Sequence, residues 1–349
     1  MNFKKISATL LAAAMLAGCS AGSTADKAAS AEVNKNIDTL KMQFVPSRNV
    51  DDLTSAVSPL GDMLKDAMKD EGYTIGNVEI SVSADYNAAG EALASGAAQV
   101  AWLPGGTYAQ YSDECDVVLT ATRNAMSNDS ENPADWNGDA NATKRVTDQD
   151  VTYYKGLIYA GPSEKGKKLA AKVNAGEKLT WDELNDCTWA VQQSVTSSSG
   201  YIYPEMWLMD NYDGKTYKDL AHVTQINGYQ GAFEQAAAEG VDIIVCYADG
   251  RQDYEKQWTS DWGRTDSIWN ECNVIGVTQN IYNDTVSITK ADKDIYNDEF
   301  KKAFQNAMIK VAGTDEGKKI ISIYSHNGYK PATDADYDGA RQALALISK

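Results

Sequence analysis

The chain has 349 residues, 43% hydrophobic and 23% charged, with a formal net charge of −17. Such acidity excludes nucleic acid and an anionic membrane face as partners held by charge, and the length is enough for two lobes with separate cores. Any anion bound here needs local donors, namely backbone N–H groups, hydroxyls and helix starts, because bulk positive charge is absent.

Lys4 and Lys5 precede an apolar run, Ile6 to Leu16, that is too short to span a bilayer and suits a signal-peptide core. It ends in Leu16-Ala17-Gly18-Cys19, which resembles a bacterial lipobox and implies cleavage before Cys19 and lipidation of its thiol. Removing Lys4 and Lys5 with the leader takes the charge from −17 to −19. Residues 20–38 are rich in Ala, Ser, Gly, Thr and charge, too polar to offset their ordering entropy, and read as a tether. No other apolar run approaches the about 18 residues a spanning helix needs, so the membrane is met through the anchor only.

Leu40 to Val45 reads as a strand, and Pro46-Ser47-Arg48-Asn49 as the turn leaving it. Arg48 there can pair bidentately with an anion or remain a surface residue. Leu60, Met63, Leu64, Ala67 and Met68 are spaced for a helix ending at Gly72, and Val78 to Val82 alternates as a strand. A unit then occurs twice, at 84–106 and 227–250: a polar turn with a tyrosine (Tyr86, Tyr229), an Ala-rich helix, a glycine stop and a strand ending in a loop. This alternation predicts parallel α/β sheets in two similar lobes, with ligand in the cleft beyond the strand ends.

Residues 124–150 are polar, rich in Asn, Asp and Gly, and lack an apolar period, as expected of an exposed insertion. Tyr153 to Ala160 and Trp189 to Val191 read as strands, Val274 to Ile288 as the return to the first lobe, and 298–311 and 315–324 as helices. Four cysteines follow Cys19. If bridged, Cys246 and Cys272 are the favoured pair, and a free buried state is the alternative. None has metal-ligand spacing, and no metal or cofactor is expected.

Val195-Thr196-Ser197-Ser198-Ser199-Gly200 lies between a strand and a helix. Hydroxyls at a helix start can cap it, or can turn with its free amides towards an oxyanion. Trp102, Tyr153, Tyr154, Tyr203 and Trp207 are further candidates for the cleft wall. Catalysis is not expected: there are two histidines, His222 and His326, neither beside a nucleophile, and no GxSxG, P-loop or GxGxxG.

LKMQFVPSR, ADYNAAGEALASGAAQVAWLP, TSSSGYIYP, NGYQGAFEQAAAEGVDI and YNDTVSITK, in this order over about 40–343, resemble the phosphonate-binding proteins of ATP-binding-cassette (ABC) transporters, including phosphite and phosphate relatives. The resemblance implies a two-lobed, type II periplasmic-binding-protein fold and an extracytoplasmic monomer serving an ABC permease. The alternative is a sensor lipoprotein of the same fold. It further implies that Ser197, Ser198 and Ser199 cradle the oxyanion and that Tyr86 adds a hydroxyl. Tyr229 stands where the family has a histidine, and Leu103 where it has a tyrosine. Asp249 and Asp284 match acidic residues that recognise an aminoalkyl group, although Asp249 also suits a turn before Gly250. The expected layout is a leader at 1–18, anchor and tether at 19–38, lobe one at 39–123 plus 285–349, and lobe two at 124–284.

Overall fold

The structure is a computed structural model and describes residues 33–347. The expected leader, lipidated Cys19 and most of the tether lie outside the described residues.

Strands β1 (Asn36–Phe44), β2 (Thr74–Val82), β3 (Val100–Leu103), β4 (Cys115–Met126) and β5 (Arg145–Val151) belong to one sheet, joined late by β11 (Thr285–Thr289) and β12 (Gly328–Pro331). Strands β6 (Tyr153–Ala160), β7 (Trp189–Gln192), β8 (Val223–Ile226), β9 (Ile243–Tyr247) and β10 (Asn273–Tyr282) form the other. In the first, β1 lies parallel to β2 and β3, with Phe44 opposite both Val82 and Trp102. In the second, β7 lies parallel to β8 and β9. The repeated units occupy matching places: the helix Tyr86–Ala94 feeds β3 and the helix Tyr229–Ala237 feeds β9.

Neither sheet is wholly parallel, as the strand–helix alternation alone suggested. β11 runs antiparallel to β3 and β4, and β6 antiparallel to β9 and β10, because the strands at the lobe crossings enter each sheet from the opposite end. The segment 124–150 also holds more order than expected. β4 continues to Met126 and pairs with β5, whose largely exposed polar residues leave no apolar alternation to read.

Each lobe has its own core. Leu40, Met42, Leu64, Leu93 and Phe304 belong to lobe one, whereas Phe233, Trp258 and Val274 cover one face of the second sheet and Leu169, Trp189 and Leu208 the other. Helix starts are set locally: Asp85 Oδ1 accepts from Ala88 N at 2.8 Å, Ser163 Oγ from Gly166 N at 3.0 Å, and Asn297 Oδ1 from Phe300 N at 2.8 Å. All four described cysteines are free and buried, the second of the two expected states.

The chain passes between sheets at Thr152 and again at Asn283. Asn283 is fully buried and ties the crossings together: its Nδ2 donates to Ala121 O at 2.9 Å and Val151 O at 3.0 Å, and its N–H to Thr152 O at 2.9 Å. The C-terminal helix Asp338–Ile347 packs Ala343, Leu344 and Ile347 against Ile202, Tyr203 and Met206 of lobe two.

Candidate functional site

Leaving β7, the chain reaches Ser197 and winds a π-type turn, Ser198–Ile202, that runs directly into the helix Tyr203–Asn211. The serines therefore lie within the first turn as well as before it. As in any helix start, the leading amides have no intrahelical acceptor, and those of Ser198, Ser199 and Gly200 take none elsewhere among the described residues. Gly200 is required by space: a Cβ there would lie 2.1 Å from Gln192 Cγ and 2.7 Å from Ser197 Oγ.

This turn faces a cavity of about 40 Å³ between the lobes, room for a few non-hydrogen atoms. Ser197, Ser198, Ser199, Tyr86, Tyr229, Asp284 and Arg48 all line it. Of the eight expected binding residues only Asp249 is elsewhere. Tyr229 OH lies 3.1 Å from Ser197 Oγ and 2.9 Å from Ser199 Oγ, so hydroxyls from two elements form one donor cluster. The Tyr86 hydroxyl makes no hydrogen bond within the described residues. Burial pushes the phenols of Tyr86, Tyr154, Tyr229, Tyr247 and Tyr324 up, which keeps their protons in place as donors.

The lobes touch across the cleft. Gly106 N donates to Ser198 Oγ at 3.2 Å, Thr107 Oγ1 lies 2.9 Å from Thr196 Oγ1, and Thr196 Oγ1 donates to Asn87 Oδ1 at 3.0 Å. On the opposite flank, Arg48 pairs with Asp253 at 2.6 Å, and Arg145 with Asp249 at 2.7 Å and Asp253 at 2.6 Å. Arg123 reaches Asp249 Oδ1 at 3.4 Å and lies over the Tyr154 ring, 4.8 Å from its centroid. Burial alone would raise the Asp249 carboxyl; Arg123 and Arg145 more than reverse that and hold it well below the usual range. The carboxylate matched to an ammonium selector is thus committed to two guanidinium groups, one bonded to each of its oxygens.

Asp284 has a different partner. Its Oδ2 lies 3.1 Å from His326 Nε2, and His326 Nδ1 lies 3.4 Å from Tyr329 OH, which accepts from Trp102 Nε1 at 2.9 Å. Burial lowers the His326 pKa although Asp284 works against it. With the imidazole neutral, one arrangement satisfies the chain: Tyr329 O–H donates to Nδ1, and Nε2–H donates to Asp284. Asp284 itself lines the cavity.

Of the aromatic candidates, only Tyr154 lines this cavity. Trp102 stacks on Phe44 with centroids 4.2 Å apart, Tyr153 lines a neighbouring cavity, Tyr203 is buried in the seam with the C-terminal helix, and Trp207 packs against the lobe-two core. Leu103 is buried in the lobe-one core, and Pro104 beside it reaches the wall. Sequence reasoning missed Ser47, Arg123, Tyr247 and Tyr324. Arg123 alone carried a signal, as a cation closing the buried part of β4.

Residues 42–337 match the model of the family described as ABC transporter, phosphonate, periplasmic substrate-binding protein. No curated protein matches the chain in sequence. Similar solved structures include a binding protein of a phosphonate ABC transporter from Pseudomonas aeruginosa (15% identity, TM-score 0.61, 89% of this chain and 86% of that one). A protein from Prochlorococcus marinus in complex with methylphosphonate is similar at 13% identity and TM-score 0.61, over 89% and 99%. So is a putative thiamine pyrophosphate transporter protein from Mycoplasma hyorhinis, at 13% and 0.60, over 91% and 98%. At such identities the likeness shows the fold, two lobes of the periplasmic-binding type. With the family model covering most of its length, the chain belongs to the phosphonate-type periplasmic substrate-binding proteins of ABC transporters.

Proposed function

We propose that this protein captures a phosphorus oxyanion in the cleft, through Ser197–Ser199, Tyr86, Tyr229 and Arg48, and delivers it to an ABC permease. The observation that carries the reading is the coincidence of three unpaired helix-start amides with a hydroxyl cluster on one small interlobe cavity. Oriented dipoles of this kind hold an anion without bulk charge. Burial opposes the charge on Arg48, yet Tyr247 and Asp253 beside it raise its pKa, so the cation persists at the cavity edge. Asp284 repels a fully deprotonated oxyanion and accepts from one that carries a P–OH. The arrangement favours binding over chemistry, since the imidazole nearest the cavity is engaged on both nitrogens.

Calorimetry with phosphate, phosphite, methylphosphonate and 2-aminoethylphosphonate tests this. At least one should bind, and Ser199→Ala or Tyr229→Phe should weaken it roughly ten- to a hundred-fold, the effect of losing one hydrogen bond to a charged ligand. Undiminished affinity in both variants would place the ligand elsewhere.

The family is extracytoplasmic, and no helix among the described residues is long and apolar enough to cross a membrane. We infer attachment through a lipid on Cys19, which metabolic labelling with a fatty-acid probe should detect in the wild type and not in Cys19→Ala.

A further inference from the structure

Next to the anion cavity lies a second one, of about 110 Å³, and Arg123 and Tyr154 line both. Its lining is rich in donors whose capacity is unspent. Lys155 is 6% exposed and has one acceptor at hydrogen-bond distance, Asn280 Oδ1 at 3.0 Å. Its nearest carboxylate, Asp129, is 3.7 Å away on the rim and 55% exposed. Arg123 has a single 3.4 Å contact among five N–H donors. The Asn124 side chain makes no hydrogen bond within the described residues, and its Oδ1 is buried without a partner. An Asn amide turns over readily to offer its N–H₂ instead.

Asp249, which also borders this space, offers nothing to a cation, because Arg123 and Arg145 occupy its oxygens. Resting on the functional reading above, we propose that the second cavity is a tail subsite and that the favoured ligand is a phosphorus oxyanion bearing an anionic oxygen group, such as a carboxylate, rather than an ammonium. The head sits against the serine turn, and the tail accepts hydrogen bonds from Lys155 and Arg123. A buried ammonium and guanidinium short of acceptors gain most from a charged acceptor, and Asp129, being exposed, is the carboxylate most readily displaced.

Calorimetry on the purified protein with methylphosphonate, phosphonoacetate, 3-phosphonopropionate and 2-aminoethylphosphonate decides it. One of the two carboxylated ligands should bind roughly ten-fold tighter than methylphosphonate, and the aminoalkyl ligand no tighter. Lys155→Gln should erase that advantage and leave methylphosphonate within about three-fold. Asp129→Asn, at the exposed rim, should tighten the carboxylated ligand about two- to three-fold, which keeps the test alive if Lys155→Gln does not fold. A preference for the aminoalkyl ligand, or an equal loss of all ligands in folded Lys155→Gln, overturns the subsite. Failure of every phosphonate to bind would instead overturn the functional reading beneath it.

Discussion

Gly106→Ala should leave both lobes folded and lower affinity for the best-bound oxyanion by about 5- to 150-fold, corresponding to the roughly 1–3 kcal/mol of an overpacked contact. A Cβ at this position would lie 2.3 Å from Ile202 Cδ1 and 2.6 Å from Thr196 O. The isoleucine tip can rotate. The Thr196 carbonyl cannot, because it belongs to the backbone leading into the serine turn. Gly106 is on lobe one and Thr196 on lobe two, so the cheapest relief is to part the lobes, which loosens the Gly106–Ser198 and Thr107–Thr196 hydrogen bonds. Calorimetry gives the affinity, and small-angle scattering with saturating ligand should show a larger radius of gyration than for the wild type. Wild-type affinity and radius in the variant would mean that the lobes do not meet here when ligand is bound.

Asp249→Ala should destabilise the protein by about 3–5 kcal/mol, the effect of stranding buried charge. Arg145 would keep Asp253, but Arg123 would lose its carboxylate. Urea midpoints should show the loss with and without ligand, and a variant that merely changes ligand preference at unchanged midpoint would refute a structural role for the Asp249 pairings. The same pairing sets an acid limit. Asp249 is depressed in the folded state, so its contribution is present above the unfolded value of about 3.9 and is lost as pH falls below it. His326 is depressed as well. Being a base kept neutral by burial, it costs stability once pH falls below its ordinary 6.5, where the unfolded chain takes up a proton first. Acidification should therefore weaken the fold in two stages. His326→Asn should remove the upper one, and Asp249→Asn should shrink the lower one, which Glu183, held down by Lys172 and the Thr180 cap, shares.

What could be read from the chain was local. The hydroxyl run at Ser197–Ser199, the tyrosines opening the repeated helices, and the strands carrying them are each set by neighbours within about ten residues, and the structure brings them to one cavity. What could not be read depends on pairing across long separations. Arg123 meets Asp249 126 residues away, Arg48 meets Asp253 205 away, and neither arginine's sequence surroundings name its partner. Asp249 illustrates the limit well: a carboxylate before a glycine after a strand has the same local pattern whether it awaits an ammonium or already holds two guanidinium groups. The helix expected over 315–324 gives way after Ile321 to a short 3-10 turn and a left-handed Ser325, and that break, which the spacing did not show, is what turns Tyr324 and His326 towards the site. β5 was invisible for the opposite reason, since an exposed edge strand needs no apolar face.

The C-terminal helix has a consequence for release. Two strand crossings would let the lobes swing freely about Asn283, but the helix lies across both lobes and presses Ala343, Leu344 and Ile347 onto lobe two. Parting the lobes exposes that apolar seam to water, at about 25 cal/mol per Å². The empty protein thus has a reason to stay shut that owes nothing to its ligand. A transporter unloading it must work against this seam as well as against the ligand's own hydrogen bonds, and shaving the seam, for example by Ile347→Ser, should quicken the escape of ligand while leaving every group that touches it unaltered.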